Sequence, residues 1–87
     1  MAQKYDYLQD PGHGWVQVTI AEIDTLGIRQ YISAYSYMDA ANGLAYLEED
    51  CDASIFIRAK EQRGEAFAFR DVHTNDDAAC RSLPRFH

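Results

Sequence analysis

Between Trp15 and Leu26 the chain changes its apolar period from two to that of a helix. Val16, Val18 and Ile20 alternate with Trp15, Gln17 and Thr19, the pattern of a half-buried strand. Thr19 is then followed three positions later by Glu22, a capping box. Ile23 and Leu26 continue at helical spacing, and Gly27 suits the stop. A strand that runs straight into a short helix over about residues 20–26 excludes both the all-α and the all-β classes.

The flanking segments extend this pattern. Residues 10–14, Asp-Pro-Gly-His-Gly, carry turn chemistry, and Lys4 to Leu8 reads as a short edge strand. From Gln30 to Tyr37 the chain is aromatic and β-rich, with Tyr31, Tyr35 and Tyr37 on one face. Asn42-Gly43 then signals a tight turn into Leu44 to Glu48, so the spacing predicts a β-hairpin over 31–48. Asp50 or Asp52 starts a helix over 52–63, with Ile55, Phe56 and Ala59 on its apolar side and Gly64 as its stop. Residues 65–70 alternate again through Phe67 and Phe69.

The expected class is α+β, in the order β-α-β-β-α-β with an extra edge strand at the start. One small domain over 1–73 holds a mostly antiparallel sheet with one main helix packed on one face. Residues 74–87 read as a polar, extended tail containing Pro84, with a short helix begun at Thr74 or Asn75 as the alternative. At 87 residues, a folded surface of roughly 5,200 Å² encloses one core and no second domain. Core candidates are Val16, Val18, Ile20, Ile23, Leu26, Ile32, Leu47, Ile55, Phe56, Phe67 and Phe69.

Charge narrows the function classes. The formal net charge is −6. Residues 39–52 contain Asp39, Glu48, Glu49, Asp50 and Asp52 and no basic residue, a local net charge of −5. Such a surface repels nucleic acid and anionic lipid and attracts basic protein surfaces. No apolar run is long enough to span a bilayer and no signal-peptide core is present, so a cytoplasmic location is expected. Cys51 and Cys80 are too few for a disulfide scaffold and read as free thiols, a 51–80 bridge being the alternative.

Catalytic and metal signatures are absent. His13, His73 and His87 are dispersed, and neither zinc-ligand spacing nor an EF-hand loop is present. There is no nucleophile elbow and no phosphate-binding glycine loop. The chain is therefore expected to be no enzyme and to use no metal and no cofactor. The candidate partner-binding set is Asp39, Glu48, Glu49, Asp50 and Asp52 for electrostatic steering, with Tyr31, Tyr35 and Tyr37 as aromatic anchors. Two other readings stand beside it. One is a nucleic-acid-binding regulator using Arg58, Lys60, Arg63 and Arg70. The other is a small hydrolase using His13 and Asp10, which requires a concave site around residues 10–15. An unpaired hairpin edge also makes a homodimer an option.

Residues 10–15 (Asp-Pro-Gly-His-Gly-Trp), Leu26-Gly27-Ile28, residues 32–37 and residues 46–52 (Tyr-Leu-Glu-Glu-Asp-Cys-Asp) together resemble a group of small hypothetical proteins encoded by bacteriophages and plasmids. The resemblance covers about residues 5–73. It implies a mobile-element origin and assigns no catalytic residue. In size and charge the chain is also similar to inhibitors of host defence such as anti-CRISPR proteins. That likeness implies a host partner with a basic surface, for example a CRISPR effector.

Overall fold

The computed structural model describes residues 3–76 and 78–86. Its strands are β1 (Gln3–Gln9), β2 (Gly14–Thr19), β3 (Tyr37–Asp39), β4 (Leu44–Glu48) and β5 (Phe67–His73). They form one sheet in the order β3-β4-β2-β1-β5. All pairs are antiparallel except β1 with β5, which run parallel from Gln3 beside Phe67 to Gln9 beside His73. The α+β class and the mostly antiparallel sheet agree with the sequence reading, but the strand order does not. The first strand is not an edge: β5 returns alongside it and takes the edge itself.

Two helices, α1 (Ile20–Leu26) and α2 (Ala53–Gln62), pack on the same sheet face, where one main helix was expected. In α1 the Thr19 hydroxyl accepts from the Glu22 N–H, as the capping box requires, and Gly27 closes the helix in the left-handed region at φ 71°. Alternation along β2 and β4 places Val16, Val18, Ala45 and Leu47 under these helices against Ile23 and Phe56. Trp15 therefore faces the other way, into a second apolar cluster with Tyr37, Ala78 and Cys80.

The expected hairpin over 31–48 is only partly formed. Its first arm is reduced to β3, and Asp39 caps a 3-10 turn (Ala40–Asn42) that ends at Gly43. Residues 29–31 form another 3-10 turn, and 32–36 do not enter the sheet. The cause is Asp52. Its carboxylate is 1% exposed and accepts from the Ser33 N–H at 3.0 Å, the Ser33 hydroxyl at 2.7 Å and the Ser36 hydroxyl. Ser36 in turn accepts from the Glu48 N–H. These side-chain bonds compete with ladder bonds and win, as serine and aspartate do in turns.

Residues 78–86, expected as part of an extended polar tail, fold back onto the sheet. A 3-10 turn (Ala79–Ser82) sets Cys80 beside Trp15, and residues 84–86 run along β3. The Met38 N–H donates to the Pro84 carbonyl, the Phe86 N–H donates to the Ser36 carbonyl, and Tyr37 bridges Arg85. The short edge at β3 is thereby covered, and β5 keeps an open edge. Of the core candidates, Val16, Val18, Ile23, Ile32, Leu47 and Phe56 are buried, while Phe69 lies near the surface. Tyr5, Trp15, Ile28, Tyr37, Ala45, Ala53, Ala78, Cys80 and Phe86 are buried beyond the expected set. Neither cysteine is bridged.

Replacing Asp52 with alanine strands a buried Ser36 hydroxyl and the Ser33 N–H. The expected loss is about 3 kcal/mol in urea unfolding. A loss below about 1 kcal/mol would mean that this carboxylate does not organise the 33–36 turn.

Candidate functional site

A cleft of about 290 Å³ opens where β2, the 33–37 loop, the β4–α2 turn and the C-terminal segment meet. Its lining includes His13, Tyr35, Glu48, Asp50, Arg81 and Arg85. Trp15 and Tyr37 form the aromatic part of its wall, and Cys51 borders it. The cleft depends on the C-terminal segment, and Asp10 holds that segment in place. The Asp10 side chain is inaccessible to solvent. It accepts from Arg81 Nε at 2.6 Å and Nη2 at 3.0 Å, from the Ala78 N–H at 2.9 Å, and from the N–H groups of Gly12 and His13. The Arg81 guanidinium beside it and these backbone donors hold its carboxyl far below the usual carboxylate range. Arg81 also lies 4.9 Å over the Trp15 ring, and Arg85 sits 5.3 Å over Tyr37.

Glu48 forms the floor of the cleft and is 6% exposed. Its Oε2 accepts the N–H groups of Asp50 and Cys51, both at 2.9 Å. Its Oε1 is buried and has no hydrogen-bond partner among the described residues. His13 Nδ1 lies 3.4 Å away but outside hydrogen-bonding geometry. The Trp15 indole N–H is likewise buried without an acceptor among them. Single ligand atoms of His13, Glu48, Glu49 and Asp50 lie within 4.8 Å of one another. Glu49 also accepts from the Tyr7 hydroxyl, whose pKa is pushed up to about 12 by burial and then by Glu49.

The eight partner-binding candidates thus separate. Tyr35, Tyr37, Glu48 and Asp50 line this one cleft, and Glu49 adjoins it. Asp52 is internal and organises the 33–36 turn, and Asp39 caps the turn at the far end of the β3–β4 hairpin. Tyr31 and Tyr35 are each 63% exposed, whereas Tyr37 is buried, so the three do not form a single strand face. The acidic run is therefore less of a surface than its composition suggests, since Glu48 and Asp52 are both buried.

The basic set is largely neutralised. Lys60 is only 2% exposed and contacts Glu22 at 3.1 Å and Glu65 at 2.7 Å. Burial opposes its charge, but Glu65, Tyr5 and Glu22 outweigh burial and raise its pKa above the ordinary lysine value. Arg63 pairs with Glu65 and Arg70 with Asp6. Arg58 is exposed on α2.

A concave site with His13 close to a second polar side chain does exist, but Asp10 is not that side chain. Its carboxylate is committed to Arg81, while Glu48 approaches the imidazole. Partial desolvation and then Glu48 push the Cys51 thiol up, and burial pushes Cys80 up to about 11, so neither supplies a thiolate near neutral pH. The sequence signals that pointed to this site were the turn histidine and the acidic run. The contributions of Arg81 and Arg85 had no signal, because they depend on the C-terminal segment folding back.

Asp10 has a folded-state pKa below its unfolded value of about 3.9. Its contribution to stability is therefore fully present above that pH and declines progressively as pH falls from there towards its much lower folded-state pKa. The chain has a single tryptophan. Trp15 emission is expected to shift to longer wavelength on acidification below about pH 4, and to show the same shift at neutral pH in Asp10→Asn. An Asp10→Asn spectrum identical to wild type would contradict the anchoring role.

No family model matches the chain, and neither a curated protein nor a solved structure shows significant similarity to it.

Proposed function

We propose that this chain is a small, acidic, non-enzymatic protein-binding module that docks by the rim of the His13–Glu48 cleft onto a basic protein surface. The observation that carries this reading is Tyr35. It is 63% exposed, it lines the cleft, and it stands beside Asp50, an exposed carboxylate with no ion pair among the described residues. Exposed tyrosines and unneutralised charge beside a concavity are what interface anchors and steering charges require. The net charge of −6 favours a cationic partner. Given the resemblance to small phage and plasmid proteins, the partner proposed is a host protein with a basic nucleic-acid groove, such as a CRISPR effector. The chain would inhibit that protein by occupying the groove. A direct nucleic-acid site on α2 is less favoured, because Lys60 and Arg63 are ion-paired within the chain, as is Arg70 on β5.

The test is capture from nuclease-treated host lysate by the tagged chain and by a Tyr35→Ala/Asp50→Lys variant. The expected result is one nucleic-acid-binding protein held by wild type at low salt and released at higher salt, with at least about tenfold less held by the variant. Equal retention by the variant would overturn the cleft rim as the interface. Retention only without nuclease would make nucleic acid the ligand and overturn the protein-binding reading.

A further inference from the structure

We infer that His13, Glu48, Glu49 and Asp50 form a binding site for one divalent transition-metal ion of the zinc or manganese type. The acidic run alone would not support this, since neighbouring carboxylates usually do no more than face water. The independent observation is Glu48 Oε1. It belongs to a side chain more than nine-tenths buried, it lacks a hydrogen-bond donor among the described residues, and it faces His13 Nδ1 at 3.4 Å, in the group where a ligand atom from each of the four side chains lies within 4.8 Å of the others. A buried carboxylate oxygen with no donor is destabilising unless a cation or a donor meets it.

The surroundings fit a metal. The Asp50 and Cys51 N–H groups hold Oε2, which orients the Glu48 carboxylate and leaves Oε1 as the ligand atom. The Tyr7 hydroxyl orients Glu49 in the same way. One imidazole nitrogen with three carboxylate oxygens suits zinc or manganese better than magnesium or calcium, which favour all-oxygen sites. Tetrahedral ligands at about 2.1 Å from zinc stand roughly 3.4 Å apart. Atoms within 4.8 Å of one another therefore need to close by up to roughly 1.4 Å. The exposed side chains of His13 and Asp50 are free to make most of that movement. The cations in the same cleft are already engaged, Arg81 with Asp10 and Arg85 with the Ala34 carbonyl and the Tyr37 ring. Three ligands are contiguous at the end of β4 and in the turn after it, and the fourth, His13, comes from the turn before β2, so only the fold brings the imidazole to the acidic run.

The experiment is calorimetric titration of the chelator-treated full chain with ZnCl2, repeated with MnCl2 and MgCl2. It uses the metal alone, so its outcome is independent of the docking partner. One zinc or manganese ion per chain is expected. Glu48→Gln should weaken binding by at least about tenfold, because its amide keeps an oxygen for the Asp50 and Cys51 N–H groups and puts a donor where Oε1 was. His13→Gln, at an exposed turn position, should do the same and tests the site even if Glu48→Gln fails to fold. The proposal is overturned by no binding up to about 1 mM zinc or manganese, by wild-type affinity in His13→Gln or in a folded Glu48→Gln, or by magnesium binding as tightly as zinc.

Discussion

The carboxylate of Asp10 joins the two ends of this structure. It sits in the turn between β1 and β2, yet it accepts from Arg81 and Ala78 near the other end of the chain. That contact lays residues 78–86 over Trp15 and turns a two-layer arrangement of helices on a sheet into one covered on both faces. It fixes the start of that segment and sets Arg81 over Trp15, while residues 84–86 are held along β3 by their own bonds to Ser36 and Met38. A bidentate arginine–carboxylate pair suits this task, because its geometry fixes orientation as well as distance.

A second principle runs through the molecule: much of its charge is used internally. Asp52 shapes the 33–36 turn, Glu48 closes the β4–α2 turn, and Lys60 lies under Tyr5 between Glu22 and Glu65. Buried charges of this kind add little net stability relative to apolar packing, but removing one partner leaves the other stranded. They therefore restrict the chain to one arrangement of its turns. Of the acidic run only Asp50 is left exposed beside the cleft, and exposed carboxylates also stand elsewhere on the surface, at Glu61, Asp71 and Asp76.

Glu48 stands apart from the other buried charges. Asp52 and Asp10 have donors for both carboxylate oxygens, whereas Glu48 has donors for one. Among the described residues the buried side-chain atoms without a hydrogen-bond partner are this oxygen and the Trp15 indole nitrogen, and both belong to residues that line the cleft.

What could be read from residues alone was local. The strand 14–19, the helix 20–26 with its Thr19 cap and Gly27 stop, and the strand through Phe67 follow from apolar period and capping chemistry, which act over a few residues. The helix after Asp52 forms where its apolar period placed it, but Asp52 stands at its start without a side-chain cap bond, its carboxylate being spent on Ser33 and Ser36. The 30–37 segment was misread because its β-rich composition says nothing of an aspartate sixteen positions beyond Ser36 that claims both serines. The 78–86 segment was misread because its anchor, Asp10, lies some seventy positions earlier. The parallel return of β5 beside β1 and the meeting of His13 with Glu48 are of the same kind. Sequence by itself determined which short stretches would be helix, strand and turn. Tertiary structure decided which charges would be buried, which faces covered and which side chains would share a cleft, because those outcomes rest on contacts between residues far apart in the chain.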